Sequence, residues 1–239
     1  MKKLLIYIIA YNTEKFITNV LDRIPTDLKK KYDVKILINN DNSQDDTFKI
    51  TKNYLKTYDQ FSVKLISNPE RQGYGGNQKI GYYYAIKNKF DYVALLHGDG
   101  QYAPECLEEL IYPLYQNHAD AVFGSRMLKS GDALKGGMPR YKYIGNKILS
   151  WFQNFLLSTS LSEFHSGYRV YKVSALEKIP FQLNANNYSF DTDIIIQLWI
   201  NQLKIMFFLI SQHPPKLSCI LLIFLLQKHI GFEKNQLHF

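Results

Sequence analysis

The sequence predicts an α/β fold, with a mostly parallel, doubly wound sheet covered by helices. Apolar runs of strand length alternate with segments of helical periodicity through the first half of the chain, as in successive βαβ units. The clearest run, residues 92–96, is apolar or aromatic throughout, as expected of a strand buried on both faces. Pro104 follows it and favours a helix start, because proline fits the first helical turn. At 239 residues the chain suits one large domain, with or without an appendage.

The remaining elements follow from the same periodicities. An opening strand at 4–10 leads to a helix with its apolar face within 16–24, which Asn12 or Thr13 can cap. Residues 43–46, Ser-Gln-Asp-Asp, have the spacing of a capping box before a second helix. Further strands are predicted at 34–38, 63–67, 119–124 and 168–173. Further helices are predicted after Gly73–Asn77 and at 104–117, 141–158 and 190–202, and a loop is predicted at 127–139.

The charge balance favours an anionic partner. Lys and Arg outnumber Asp and Glu by 29 to 21, so the formal net charge is +8. Such a surplus suits nucleic acid, an anionic lipid or a phosphorylated substrate. No nucleic-acid-binding motif accompanies the basic residues, so we expect no nucleic-acid partner. Cys106 and Cys219 are too few for a disulfide framework or a zinc site, which favours a reducing, cytoplasmic location.

Polar turns follow four of the predicted strands. They are Ala10-Tyr11-Asn12, Asn40-Asp41, the glycine-rich segment Gly73–Asn77 and Asp99, and each comes directly or shortly after an apolar run. Because the carboxyl ends of parallel strands meet at one edge of a sheet, these turns are expected to line one cleft. Asp99 stands between two glycines, which suits a divalent cation carrying phosphates, although the same residue could cap the next helix. The dinucleotide fingerprint and the P-loop are both incomplete, which argues against a dehydrogenase or a kinase.

Five segments carry a resemblance to a known family. Residues 8–12 match its opening strand and turn, and 40–45 lie where it usually has Asp-Asp-Gly-Ser-x-Asp. Residues 73–77 match its glycine-rich donor loop, 124–126 a turn near the phosphates, and 166–169 its Ser-Gly-Phe-Arg element. Over residues 4–204, the chain resembles family 2 glycosyltransferases with the GT-A fold. The resemblance is to the branch that includes dolichyl-phosphate mannose synthase and bacterial polyprenyl-phosphate glycosyltransferases.

The resemblance implies a reaction and a cofactor. A sugar would move, with inversion, from a UDP- or GDP-sugar to a polyprenyl phosphate or glycan acceptor in cell-envelope glycan synthesis. A divalent cation, Mn²⁺ or Mg²⁺, would be held by Asp99 and His97. The family's Asp-x-Asp stands here as His97-Gly98-Asp99, and imidazole suits Mn²⁺ better than Mg²⁺. Asn40 likewise replaces the first Asp of the pair that contacts the nucleotide base in the family. Its amide can still hydrogen-bond the base but carries no negative charge.

The resemblance also implies roles for individual residues. Asp99 would hold the cation, and Arg126 and Arg169 would stabilise charge on phosphates. Glu163 would act as a base if the acceptor is a sugar hydroxyl, whereas a polyprenyl phosphate is already anionic and needs no base. The predicted nucleotide-sugar-binding residues are Ala10, Tyr11, Asn12, Glu14, Asn40, Asp41, Gly75, Asn77, His97, Gly98 and Arg126.

Two other functions are compatible with the sequence. A catalytically impaired nucleotide-binding module would account for the two altered acidic positions. A sugar-nucleotide pyrophosphorylase also combines an α/β fold with a metal, but residues 11–14 lack its glycine- and arginine-rich signature. Elsewhere, Asp191 and Asp193 are expected to offset the dipole at a helix N-terminus, and Trp151 is expected to pack in the core.

The C-terminal part of the sequence departs from the family pattern. Two apolar runs, 203–210 and 217–226, are each shorter than the ~20 residues that a membrane-spanning helix needs. They could be buried strands, an interfacial segment or sequence with little role in the fold. We therefore predict a GT-A domain at 1–205 and an atypical apolar tail at 206–239, with a frameshift or truncation as a hypothesis. The basic surplus and these runs also fit peripheral contact with the inner face of an anionic membrane.

Overall fold

The computed structural model describes most of the chain, and one sheet organises it. The described residues are 1–125, 139–141, 143–145, 147–148, 151, 167–209 and 220–226. Their strands are β1 (Lys2–Ala10), β2 (Tyr32–Asn40), β3 (Ser62–Ser67), β4 (Tyr92–His97), β5 (Ala121–Ser125), β6 (Arg169–Lys172), β7 (Ile205–Leu209) and β8 (Ile220–Leu226). Their helices are α1 (Ile17–Asp22), α2 (Thr47–Tyr54), α3 (Gly73–Lys87), α4 (Leu107–Tyr115), α5 (Val173–Leu176) and α6 (Phe190–Ile200). Residues 140–141, 143–145, 147–148 and 151 are also helical.

The sheet is mixed but mostly parallel, as the sequence predicts. Its spatial order is β3-β2-β1-β4-β6-β5-β7-β8. Strands β1 to β4 all run parallel, whereas β6 is antiparallel to both β4 and β5. Strand β1 alternates between two apolar layers, with Leu4, Ile6 and Ile8 on one face and Leu5 and Tyr7 on the other. The sheet is therefore buried on both sides, which explains why its central strands are apolar throughout.

The predicted boundary after residue 205 falls inside a strand. Strand β7 begins at Ile205 and pairs in parallel with β5. Met206, Phe207 and Phe208 are buried in the two apolar layers. The first apolar run thus forms a core strand, and 206–209 belong to the sheet rather than to a tail. Strand β8 pairs antiparallel with β7, while the hypothesis of a frameshift or truncation stays untested.

Two predicted helix caps are wrong. Helix α1 begins at Ile17 with no side-chain cap, and the Thr13 carbonyl instead accepts hydrogen bonds from the Phe16 and Ile17 amides. The capping box at 43–46 is replaced by an Asx turn, in which the Asp45 carboxylate accepts from the Thr47 amide at 3.0 Å. The polar residues of these turns bind each other across the loops, because the ends of β1 and β2 are adjacent in the sheet.

Candidate functional site

A cleft of about 920 Å³ opens at the carboxyl ends of β1, β2 and β4. Its position is the one expected for a ligand site in an open α/β sheet. Its walls come from the strand ends, the start of α3 and the segment that leads into α6. The described lining residues are Ile9, Ala10, Tyr11, Thr13, Asp41, Arg71, Gln72, Gly73, Tyr74, Asn77, His97, Gly98, Asp99, Gln101, Tyr102, Gly167, Asn186, Asn187, Tyr188 and Asp191.

Asp41 shapes one wall by holding the glycine-rich loop. One carboxylate oxygen accepts from the Asn68 amide group and the Gln72 backbone, both at 2.8 Å. The other accepts from the Gly73 backbone at 3.1 Å. Gly73 has a φ of +78°, a left-handed conformation that glycine adopts without strain. Asp41 therefore fixes the turn that starts α3, in addition to lining the cleft.

Beside this loop, Tyr11 lies under a cation. The Arg71 guanidinium carbon is 4.1 Å from the centre of the Tyr11 ring, within the range of a cation–π contact. Both residues line the cleft, as does Ala10 at the end of β1. This pair presents a flat, positively charged surface that suits a nucleotide, and Arg71 is a lining residue that the motif analysis missed.

Four of the predicted nucleotide-binding residues do not line the cleft. Asn12 and Glu14 instead bind the neighbouring loop, accepting from the Gln44 and Asp46 amides at 2.9 and 3.0 Å. Asn40 is buried and donates to Ser67 Oγ at 2.9 Å. Gly75 packs against the segment before α6, where an added Cβ would lie 2.7 Å from Phe190 Cβ. Their sequence pattern is that of a binding motif, but in the fold these four residues support the walls.

Asn77 joins the cleft floor to the core. Its side-chain oxygen accepts from Asn39 Nδ2 at 2.7 Å, and its carbonyl lies 2.7 Å from the Tyr7 hydroxyl, which donates to this residue. Burial raises the pKa of Tyr7 well above its usual range. Tyr7 therefore stays neutral and anchors the start of α3 to β1, which keeps Asn77 at the cleft floor.

Asp99 lies in the turn after β4, partly exposed in the cleft. One of its oxygens accepts from the Gln101 amide at 3.0 Å, so this carboxylate stabilises its own turn rather than capping the helix after Pro104. The preceding Gly98 packs closely, since an added Cβ would lie 3.1 Å from both Thr13 Oγ1 and Ile17 Cδ1. The turn thus holds the Asp99 carboxylate at the ligand side of the sheet.

His97 is wedged among aromatic rings at the end of β4. Its imidazole makes edge contacts with Tyr74 and Tyr102, with ring centres 5.7 and 5.0 Å away. An added Cβ on Gly167 would lie 2.6 Å from His97 Nε2, which is itself buried. In this arrangement Nε2 faces Gly167, so metal ligation through that nitrogen would require the ring to move. The role of His97 as a ligand stays a prediction.

Arg169 and Asp191 form a buried ion pair at the side of the cleft where α6 begins. The Asp191 carboxylate accepts from the Tyr74 hydroxyl at 3.0 Å and lies 3.4 Å from Arg169 Nη2. Arg169 also donates to the Asp191 carbonyl at 3.1 Å, and its guanidinium lies over the Phe123 ring. Burial, followed by the nearby Asp191 charge, raises the pKa of Tyr74.

This pair bears on two expectations. Arg169 is not among the described residues that line the cleft, and its charge is paired in a buried network, so its role at a phosphate stays a prediction. Asp191 is more than a helix-end charge, because it lines the cleft and organises Tyr74. Motif spacing gave no signal for either contact, since β6 and α6 are brought together only by the fold. Arg126 and Glu163 lie outside the described residues.

The residues present fit a cation that binds together with phosphates. Among the described residues, no group of three or more His, Cys, Asp or Glu side chains could hold a metal. Mg²⁺ usually takes one or two carboxylates and completes its shell with substrate phosphates and water. Asp99 satisfies that requirement, so it would contribute one ligand and a diphosphate the others. Within the described parts of the chain, no helix is long and apolar enough to cross a membrane.

Sequence comparisons place the chain in a family. The profile of glycosyl transferase family 2 matches residues 5–180, so the class of the protein is that of the glycosyltransferases. The chain is 31% identical to the UDP-N-acetylglucosamine–dolichyl-phosphate N-acetylglucosaminyltransferase of Methanococcus voltae, over 84% of this chain and 82% of that protein. It is 24% identical to the polyprenol monophosphomannose synthase of Mycolicibacterium smegmatis, over 81% of this chain and 71% of that one. The chain belongs to glycosyl transferase family 2 and is a glycosyltransferase.

Solved structures confirm the GT-A fold. The glucosyl-3-phosphoglycerate synthase of Mycobacterium tuberculosis superposes with a TM-score of 0.64 at 16% identity, over 90% of this chain and 73% of that one. Its complex with Mn²⁺, UDP and phosphoglyceric acid gives 0.60 at 16% identity, over 84% and 65%. The chain therefore spans about two thirds of the length of that complexed protein.

Proposed function

We propose that this protein transfers a sugar from a UDP-sugar to a polyprenyl phosphate. The observation that carries the proposal is the relationship to the Methanococcus voltae enzyme across more than four fifths of both chains. The cleft supports it, because about 920 Å³ is ample for a nucleotide sugar. Tyr11 and Arg71 would hold the nucleoside, and Asp99 would face the diphosphate.

For this reaction, stabilising the leaving group matters more than providing a base. A phosphate oxygen of the acceptor attacks the anomeric carbon, a new C–O bond forms, and the bond to the donor diphosphate breaks. The electron pair leaves with UDP, and the anomeric configuration inverts. A divalent cation held by Asp99 would neutralise charge on that diphosphate. Because the acceptor is already an anion, no residue has to remove a proton.

Within this chain, Asp99 orients the diphosphate end of the donor and Asp41 maintains the loop that covers it. The hydrogen bond from Tyr74 to Asp191 ties this loop to the start of α6. A glycan acceptor would instead require a base, for which Glu163 remains the candidate.

The cytoplasmic location also remains a prediction.

A second candidate is a nucleotide-binding protein without transferase activity. The buried position of His97 Nε2 beside Gly167 supports it, because in this orientation that nitrogen would not help Asp99 to hold a cation. Binding and turnover measured on the same sample separate the two functions.

The test is a transfer assay with detergent-dispersed dolichyl phosphate. Purified protein is incubated with Mn²⁺ or Mg²⁺ and radiolabelled UDP-N-acetylglucosamine, UDP-glucose or GDP-mannose, and the organic phase is counted. We expect label from a UDP-sugar only, abolished by EDTA and by Asp99→Asn. Transfer from GDP-mannose alone would refute the donor assignment. UDP binding without any transfer would favour the second candidate.

A further inference from the structure

Four large apolar side chains are exposed along one helical segment. Tyr141, Ile144, Ile148 and Trp151 are 73%, 55%, 62% and 68% exposed. All four lie in residues 140–151, where the described positions are helical. The sequence led us to expect Trp151 in the core, and its exposure corrects that expectation. Steps of three, four and three residues place the four side chains on the same face of a helix.

This arrangement differs from ordinary surface apolar residues. Single exposed apolar side chains are common, whereas contiguous apolar patches mark interaction sites. At about 100° per residue, the four side chains span an arc of about 80°. We call this face, formed by Tyr141, Ile144, Ile148 and Trp151, the apolar stripe.

The charge around the apolar stripe indicates what it binds. Arg140 and Lys147 are exposed, and at about 100° per residue both fall at one margin of the stripe. Residues 133–162 contain four basic residues and no Asp or Glu. A second copy of this basic segment would be repelled, whereas an anionic surface would be attracted. An apolar face bordered by cations and carrying Trp is the composition of a helix that lies in a membrane interface.

We propose that residues 140–151 bind the surface of an anionic membrane, with the apolar stripe inserted at headgroup level. The inference rests on the proposed function, because a polyprenyl phosphate acceptor is itself embedded in a bilayer. The apolar stripe would then keep the enzyme beside its acceptor, while Arg140 and Lys147 would contact lipid phosphates.

Vesicle co-sedimentation tests the surface directly. Full-length protein is mixed with vesicles of phosphatidylcholine alone or with added phosphatidylglycerol, at low and high salt. We expect salt-sensitive binding to the anionic vesicles, weakened on the order of tenfold or more by Ile144→Asn with Ile148→Asn. The matched control replaces Tyr83 and Tyr112, which are exposed elsewhere, by Asn and should bind like the wild type.

Several results would overturn the inference. The inference would be overturned if the wild-type protein did not bind anionic vesicles, or if the stripe variant bound them as well as the wild type does. A much lower melting temperature of the stripe variant would show that these side chains are packed in the protein. A smaller size of the stripe variant than of the wild type on gel filtration would show that the stripe is a protein interface. Transfer to detergent-dispersed dolichyl phosphate should be unchanged in the stripe variant. If the wild type also showed no transfer to dolichyl phosphate, the proposed function would be refuted, but the result would say nothing about vesicle binding.

Discussion

Asp191 Oδ2 lies 3.4 Å from Arg169 Nη2, and the two side chains are only 5% and 1% exposed. This ion pair joins the antiparallel strand β6 to the start of α6. It also fixes the carboxylate to which Tyr74 donates, so one wall of the cleft depends on this buried charge pair. Burial lowers the pKa of Arg169, but the carboxylate of Asp191 and neighbouring phenols raise it overall, and the guanidinium stays charged.

Asp191→Asn should destabilise the protein by about 3 kcal/mol, because removing one partner leaves a buried charge uncompensated. Urea unfolding followed by circular dichroism measures the change. The control is Asp27→Asn, which removes an exposed pair with Lys30 and should change stability little. Equal effects of the two substitutions would contradict the argument from burial.

Gly75→Ala should cost about 2 kcal/mol, because the added Cβ would meet the Ala185 carbonyl and Phe190, which are backbone and packed core. Gly145→Ala is the matched control, since nothing lies within 4 Å of a Cβ there. That change should be neutral or slightly stabilising in a helix. Thermal melting of both variants checks the pair, and a neutral Gly75→Ala would show that the segment before α6 is not tightly packed.

Asp99→Asn should remove the metal-dependent part of UDP binding. The wild type in Mn²⁺ should be stabilised by about 2.7 kcal/mol when UDP is at ~100 times its dissociation constant. The variant should show the same small thermal shift in Mn²⁺ as in EDTA, because the cation is proposed to bind this carboxylate together with the diphosphate. Asp59→Asn, at an exposed position away from the cleft, is the control. Full metal dependence in Asp99→Asn would rule out the assigned role.

Stability should fall in acid partly through Asp91. Burial opposes its ionisation, but hydrogen bonds from the Lys2 side chain and the Lys3 amide outweigh burial and lower the pKa of Asp91. A carboxyl with a lowered folded pKa stabilises the protein above its unfolded pKa, about 3.9. That contribution is lost as the pH falls through the lower folded value. Urea unfolding at a series of pH values should show a shallower acid loss for Asp91→Asn, and identical profiles would exclude this contribution.

The strands and the positions of Asp41 and Asp99 could be predicted from the sequence, because they depend on local patterns. A strand that is buried on both faces of a parallel sheet has an apolar run such as residues 92–96. A carboxylate that follows such a strand lies at the carboxyl edge of the sheet. The direction of β6 could not be predicted, since a short apolar strand has the same pattern in either orientation. Roles for Arg126 and Glu163 remain predictions.

The sequence by itself therefore determined the fold class, the family and the edge of the sheet where the cleft lies. Only the tertiary structure decided which motif residues line the cleft and which support its walls. Three pairs that are far apart in the sequence meet in the fold: Gly75 and Asn186, Gly167 and His97, and Arg169 and Asp191. Such contacts depend on the packing of whole elements, and residue spacing along the chain does not encode them. A motif glycine or arginine looks the same in sequence whether it meets a phosphate or a neighbouring segment.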